Sequence, residues 1–431
     1  MLSGHALVRD LFDAALAAVN PEAAVTRALA TVETGDAAPH VIAIGKAAVP
    51  MANAALATLR ARGVVPPGGV VVSPGGAGAL AGSLVHLAGD HPIPGGQSLA
   101  AADAVGRAVG AIGAKDDCWV LLSGGASSLA AAPVPGVEPD ALAELFRVLL
   151  GSGLPIADVN AVRRRVLRWG AGRLAAAIPA RHIRVLAISD VPGDEPGDIG
   201  SGPCSPDPTS DTDLVERLAA AGVGASIPAP VRHRLARERR RASDHPDATS
   251  RRISFEIVGR NADAIDGAVR RAGELEIVAV RGATLSGEAS AAGEESARAL
   301  LALRDGVPSE GRHRHACLVR GGETVVTLGP AAGRGGRSQE LALAGARLLA
   351  GHAGVTLLAA GTDGRDGPTD AAGAIVDGAT WRRIEAADVD PGAALAAHHA
   401  YRALDRGGAL LRTGPTGTNV MDLVIGVCET A

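Results

Sequence analysis

Three kinds of loop in this 431-residue chain carry side chains suited to phosphate and proton chemistry. The first kind is acidic. Leu186-Ala-Ile-Ser-Asp190-Val-Pro-Gly-Asp194 ends an apolar run with a carboxylate, and Gly361-Thr-Asp363-Gly-Arg-Asp366-Gly-Pro-Thr-Asp370 sets three acids among glycines after the run Val355–Ala360. Hard cations such as Mg²⁺ take carboxylate oxygens together with shared phosphate oxygens, so Asp190, Asp363 and Asp366 are expected metal ligands. Asx-turns would use the same Asp-Gly pairs without a metal. The second kind is glycine-rich. Ser123-Gly124-Gly125-Ala-Ser-Ser128 and Gly333-Arg-Gly-Gly-Arg337-Ser-Gln-Glu340 each lead into a helical pattern. Backbone amides and guanidinium forks in such loops bind anions, and a plain tight turn is the alternative. The third is the turn Gly414-Pro-Thr416-Gly-Thr-Asn419, whose hydroxyls and amide suit nucleotide or substrate contact.

The basic residues are distributed unevenly. Of 42, only Lys46 and Lys115 are lysines; the other 40 are arginine. Arginine has taken nearly every position where plain positive charge suffices, so a surviving lysine raises the question of what arginine could not do there. Lys115 lies in Gly-Ala-Lys-Asp-Asp and is expected in solvent. Lys46 directly follows the apolar run Val41–Gly45, where an ammonium reaches into a strand-end crevice. His91, in the unusual turn Gly89-Asp-His-Pro-Ile-Pro-Gly95, is expected to be structural.

Other chemistries are disfavoured. Gly76-Ala-Gly78-Ala-Leu-Ala81 matches a loose dinucleotide fingerprint, but Ser73-Pro74 interrupts the junction before it and no clean acidic residue follows about 20 positions on. GxxxxGK[ST], a His-Arg-Asp catalytic loop and GxSxG are all missing from the sequence. The four cysteines have neither disulfide nor zinc spacing, so buried thiols are expected. Aromatic content is 2% and net charge is −4, which disfavours nucleic acid, and the charged run Arg232–Arg252 reads as a helix end and linker. No apolar stretch approaches the ~18–20 residues that span a bilayer, and no signal peptide is indicated, so a cytoplasmic protein is expected.

Strands must hold these loops. The expected strands are Val41–Gly45, Val70–Ser73, Trp119–Ser123, Val185–Asp190, Phe255–Val258, Ile277–Val280, Ala316–Arg320, Thr324–Leu328, Val355–Ala360 and Leu423–Val427. Helical segments such as Leu99–Gly113, Asp158–Ile178, Ala262–Arg271 and Gln339–Ala350 alternate with them. That alternation predicts α/β architecture with mainly parallel sheets and ligands outside the carboxyl ends of strands. The domains are expected at 1–240 and 250–431, with the charged run between them.

Taken in order, the loops resemble one family, the glycerate 2-kinases of the MOFRL type, some of whose members carry the label hydroxypyruvate reductase. The matching segments include Ile44-Gly-Lys-Ala-Ala48, Gly89-Asp-His-Pro-Ile-Pro94, Leu122-Ser-Gly-Gly125, Asn160-Ala-Val-Arg163, Gly172-Arg-Leu174 and Ile188-Ser-Asp-Val-Pro-Gly-Asp194. They continue through Ser201-Gly-Pro203, Pro206-Asp-Pro-Thr209, Gly321-Gly-Glu-Thr324, Gly335-Gly-Arg337, Asp366–Gly373 and Gly414–Val420. The resemblance implies a larger Rossmann-like N-terminal domain, a smaller C-terminal MOFRL-type domain and an active site in the cleft between them. It implies ATP- and Mg²⁺-dependent phosphorylation of the 2-hydroxyl of D-glycerate, with Lys46, Asp190 and Arg337 as catalytic positions. Lys46 and Arg337 would neutralise phosphoryl charge, and Asp190 would accept the hydroxyl proton or hold Mg²⁺. Ser123, Gly124, Gly125, Asn160, Arg173, Asp363, Thr416 and Asn419 make up the substrate- and nucleotide-binding set. A homodimer is left open. Departures from the family pattern at 164–170, Ser338, 398–400 and Met421 keep another small hydroxy acid in play as substrate. An NAD(P)H-dependent hydroxypyruvate reductase and a non-catalytic ligand sensor are the competing readings.

Overall fold

Short runs, mainly apolar where buried as in β1 and β4, form the first sheet: β1 (His40–Ile44), β2 (Gly69–Pro74), β3 (Val85–Gly89), β4 (Asp117–Leu122), β5 (His182–Ile188) and β6 (Arg252–Gly259). A computed structural model describes residues 3–32, 38–75, 79–82, 84–207, 211–237, 252–306, 315–329 and 332–429. The first sheet is parallel throughout, in the order β3-β2-β1-β4-β5-β6. Helices Ala48–Ala61 and Gly96–Gly110 make two of its crossovers. Ile42, Ile44, Val70, Val120, Leu122 and Val185 pack with Leu129, Leu174 and Ile178 in an aliphatic core. Apolar faces of helices Pro139–Leu150 and Ile156–Val166 build a separate core around Leu142, Phe146 and Val162.

The second sheet comprises β7 (Val278–Arg281), β8 (His315–Gly322), β9 (Val355–Gly361), β10 (Gly373–Asp377), β11 (Leu410–Leu411) and β12 (Asp422–Glu429), ordered β11-β10-β9-β12-β8-β7. Here the expectation of mainly parallel pairing is corrected. Only β7–β8 is parallel; β8–β12, β12–β9, β9–β10 and β10–β11 are antiparallel. The reason lies in the connections. A parallel pair needs a long crossover, whereas the segment from Gly361 to Gly373 contains no helix and turns straight back.

Local differences have equally simple causes. Thr324–Leu328 forms no strand, only a bridge from Val325 to Glu288, and Val325 and Leu328 are exposed. The helix expected over Asp158–Ile178 splits into Ile156–Val166 and Arg173–Ala177, because Ala171 and Gly172 both adopt positive φ. All four cysteines are free and buried, and burial pushes the Cys118 thiol up to about 12.

The chain divides into a unit of Pro21–Gly259 and a unit of Met1–Asn20 with Arg260–Ala431, not at 240–250. β6 hydrogen-bonds beside β5, which keeps the chain in the first unit as far as Gly259. Helix Gly4–Ala18 turns Leu7, Val8, Leu11 and Phe12 inward and packs on helix Asn261–Glu274, which places it in the second unit. Residues 238–251 of the charged run, Gly76–Gly78 of the fingerprint, and Pro208 and Thr209 lie outside the described residues.

Candidate active site

In the first unit the chain adds β2 and β3 on one side of β1, then β4, β5 and β6 on the other. Ligands of open α/β folds bind outside the carboxyl ends of strands at this reversal, here between β1 and β4. Gly45-Lys46 leaves β1 at that point and Ser123-Gly124-Gly125 leaves β4. Their backbones interlock. Ser123 N donates to Ile44 O at 3.1 Å, and Lys46 N donates to Gly124 O at 2.8 Å. Ala47 N donates to Ser123 Oγ at 3.0 Å. Gly45, at φ 135, permits the approach, since a Cβ there would stand 2.2 Å from Ser123 Oγ. Gly125, at φ 83, opens the next turn; a Cβ there would stand 3.1 Å from His91 Cδ2 and 3.4 Å from Lys46 Cγ. The structure therefore brings Lys46, Ser123, Gly124 and Gly125 together. It adds His91, expected to be structural, beside the lysine stem.

Asp190 follows β5, the strand next to β4, and is part-buried. Ser189 N donates to Gly259 O at 2.9 Å and anchors this loop to the end of β6. Further along, Asp194 adopts φ 56 and its buried Oδ1 has no partner among the described residues. Two expected ligand-binding residues do other work here. Asn160 is buried and donates to Asp198 O at 3.5 Å. Arg173 Nε donates to Leu167 O at 3.1 Å, and its Nη2 donates to Arg164 O, which satisfies carbonyls where helix Ile156–Val166 ends. Its guanidinium is spent on the fold.

In the second unit, Arg337 opens helix Arg337–Leu349. Its Nε and Nη2 grip Asp422 Oδ2 and Oδ1 at 2.5 and 3.1 Å, and Nη1 lies 2.5 Å from Glu323 Oε1. Burial opposes its charge, but the Asp422 and Glu323 carboxylates outweigh it and hold the guanidinium above its ordinary pKa. The positive charge expected of Arg337 is thus shared with two acids, Asp422 and Glu323. Asp366 caps the same helix, accepting from Ser338 N at 3.1 Å and Gln339 N at 2.8 Å. Burial, then the Asp422 charge, push Asp366 up to about 7 against the pull of those amides. Both oxygens of this expected metal ligand therefore cap the helix.

Asp363 Oδ1 accepts from Arg365 N at 3.0 Å, the Asx-turn alternative. Thr416 ties its own loop to this one: its Oγ1 donates to Thr362 O at 2.5 Å and its N to Asp363 O at 3.4 Å. Asn419 is buried nearby in sequence, where Thr418 Oγ1 donates to Val19 O at 3.0 Å. The departures are accommodated locally. His398 Nδ1 lies 2.9 Å from Glu340 Oε2, and Met421 O accepts from Thr362 Oγ1 at 2.6 Å. Among the described residues, no three His, Cys, Asp or Glu side chains gather as a metal site.

A D-glycerate 2-kinase of Thermotoga maritima is 37% identical over 395 residues, covering 90% of this chain and 90% of that protein. The chain belongs to the glycerate 2-kinase family. Residues 7–236 match the Domain of unknown function (DUF4147), and residues 316–422 match the MOFRL family. A crystal structure of Thermotoga maritima glycerate kinase superposes with a TM-score of 0.81 at 34% identity, covering 98% of both chains. An Agrobacterium vitis relative that is 36% identical, over 98% of this chain and 94% of its own length, carries a hydroxypyruvate reductase name. The fold of this family member gives that second name little support. The loose dinucleotide match that motivates it lies partly outside the described residues, and the next described element after β2 is strand β3. No helix among the described residues is long and apolar enough to cross a membrane.

Proposed function

We propose that this chain transfers the γ-phosphoryl group of ATP to the 2-hydroxyl of D-glycerate, giving 2-phosphoglycerate and ADP. The interlocked Gly45-Lys46 and Ser123–Gly125 crossing carries the reading, because it sets a lysine and glycine amides at the sheet's reversal. Phosphoryl transfer asks mainly for positioning and for neutralisation of charge on the transferred oxygens. The Lys46 ammonium supplies that charge, and the Ser123–Gly125 backbone cradles the phosphate. Asp190, one strand away, accepts the proton of the 2-hydroxyl as it attacks. Arg337, fixed by Asp422 and Glu323, holds the start of its helix and the loops beside it in register.

The acidic loop after β5 suits a Mg²⁺ arriving with ATP, since Mg²⁺ needs only one or two carboxylates besides phosphate oxygens. Asp194, whose buried Oδ1 lacks a partner among the described residues, would hold it. The ion would neutralise bridging phosphate charge.

A coupled assay with ATP, Mg²⁺ and D-glycerate tests the proposal. Formation of 2-phosphoglycerate is expected; no product at high enzyme concentration would sink it. A parallel panel of small 2-hydroxy acids decides whether the departures at 164–170, 338, 398–400 and 421 have moved the substrate. Oxidation of NAD(P)H with hydroxypyruvate would instead revive the reductase reading.

A further inference from the structure

Helix Ile156–Val166 carries three consecutive arginines whose partners differ. Arg164 Nη1 donates to Asp198 Oδ1 and to Gly197 O, each at 2.7 Å, and Nη2 lies 3.2 Å from Asp207 Oδ1. Arg165 Nε lies 3.5 Å from Asp207 Oδ2. Arg163 has no carboxylate partner among the described residues. Its guanidinium lies 4.4 Å over the Phe146 ring, and its buried Nε has no acceptor. Burial alone lowers it to about 10. A desolvated charge without a counter-charge destabilises the fold. The residue nevertheless keeps partial solvent access, so an incoming anion can reach it.

The position of this helix gives the anion a context. Asn160 and Arg164 fasten it to Gly197 and Asp198, in the loop that begins at Asp190. Gly200 of the same loop packs against Ala126, where an added Cβ would stand 2.8 Å from the Ala126 Cβ. Ala126 directly follows Gly125, the residue beside Lys46 and His91. One loop therefore holds both the Arg163 helix and the proposed phosphate crossing. That loop is itself unfinished: Ser201, 1% exposed and at φ 63, has a buried Oγ with no partner.

Resting on the kinase reading, we infer that Arg163 binds the carboxylate of the acceptor substrate and so selects hydroxy acids over neutral polyols. The guanidinium fork matches a carboxylate in a way that a single ammonium does not, and the Phe146 face presets its plane. A phosphate of ATP is the other anion that could pair with it, and kinetics separate the two.

Full-length Arg163→Met and Arg163→Lys enzymes are assayed with D-glycerate and ATP varied in turn. In Arg163→Met the KM for D-glycerate should rise about 100-fold or more, as expected for loss of a charge-assisted pair, with the KM for ATP unchanged. Its Tm should hold or rise, because a desolvated unpaired charge has gone. Arg163→Lys should recover part of the glycerate KM. D-Glycerate should raise the Tm of the wild type but not of Arg163→Met, while ATP raises both. An unchanged glycerate KM in folded Arg163→Met overturns the inference. So does a rise confined to the ATP KM, or failure of both variants to fold. Wild-type enzyme without turnover would instead overturn the kinase reading, and the D-glycerate thermal shift then decides Arg163 alone.

Discussion

The role proposed for Lys46 turns on what another residue cannot do. Its backbone N is held by Gly124 O and its stem passes the Cβ-less Gly125, and a compact ammonium and a planar guanidinium fork are not interchangeable at a phosphate. Lys46→Arg should therefore cut kcat about 100-fold or more, in the range for loss of one preorganised charge contact. Its Tm should stay within about 2 °C of the wild type, because the backbone bonds that build the turn do not depend on the side chain. Steady-state kinetics beside a thermal melt check both halves, and wild-type turnover would refute the role. Asp190→Asn separates two jobs. Loss of a general base should remove the acidic limb of the kcat profile and lower kcat about 10²–10⁴-fold. Loss of a metal ligand would raise the Mg²⁺ requirement instead. Lys46 was legible in the sequence because lysine is rare in this chain. Arg163 was visible only as part of a matched segment, and its lack of a carboxylate partner among the described residues is a fact of three dimensions.

Elements show where sequence reading succeeds and where it stops. Buried strands such as β1, β4 and β9 announce themselves as apolar runs, whereas β3, half-exposed along Val85–Ala88, and the two-residue β11 do not. Strand direction was likewise hidden, since it depends on connections rather than on strand composition. The cap of helix Arg337–Leu349 was hidden for a related reason: Asp366 reaches it from a separate loop, so its spacing looked like that of a metal ligand. That cap has a pH signature. Asp366 is raised from the usual carboxylate range to about 7, so between about pH 4 and 7 the native state binds a proton that the unfolded chain has released. Stability from this group therefore falls as pH rises through that window. Urea midpoints measured from pH 4 to pH 8 should show a steeper decline in the wild type than in Asp366→Asn. Equal slopes would mean that Asp366 titrates normally. The neighbouring Ser338 buries an Oγ with no partner, at 2% exposure. Ser338→Ala should be neutral or stabilising by up to about 1 kcal/mol, because an unsatisfied hydroxyl is removed; a melt that drops would reveal a partner for it.

For the molecule as a whole, the sequence conveyed two α/β bodies but placed the seam by composition. The actual division follows packing. Nothing in the first twenty residues reveals that helix Gly4–Ala18 belongs with a helix more than two hundred positions later, because its apolar stripe Leu7, Val8, Leu11 and Phe12 would suit any core. Its polar contacts are specific: Arg271 Nε donates to Asp10 Oδ2 at 2.9 Å, and His5 Nε2 lies 2.8 Å from Asp377 Oδ2. The helix also packs against β9 and β12, the central strands of the second sheet. Phe12 is fully buried there, so Phe12→Ala leaves a cavity costing about 3–5 kcal/mol. That loss should fall on the unit it packs in. Native-state hydrogen exchange should show β8, β9 and β12 losing protection by that amount while β1, β4 and β5 keep theirs, although β1 is far nearer to Phe12 in sequence. Equal loss of protection in both sheets would show that the two units unfold as one.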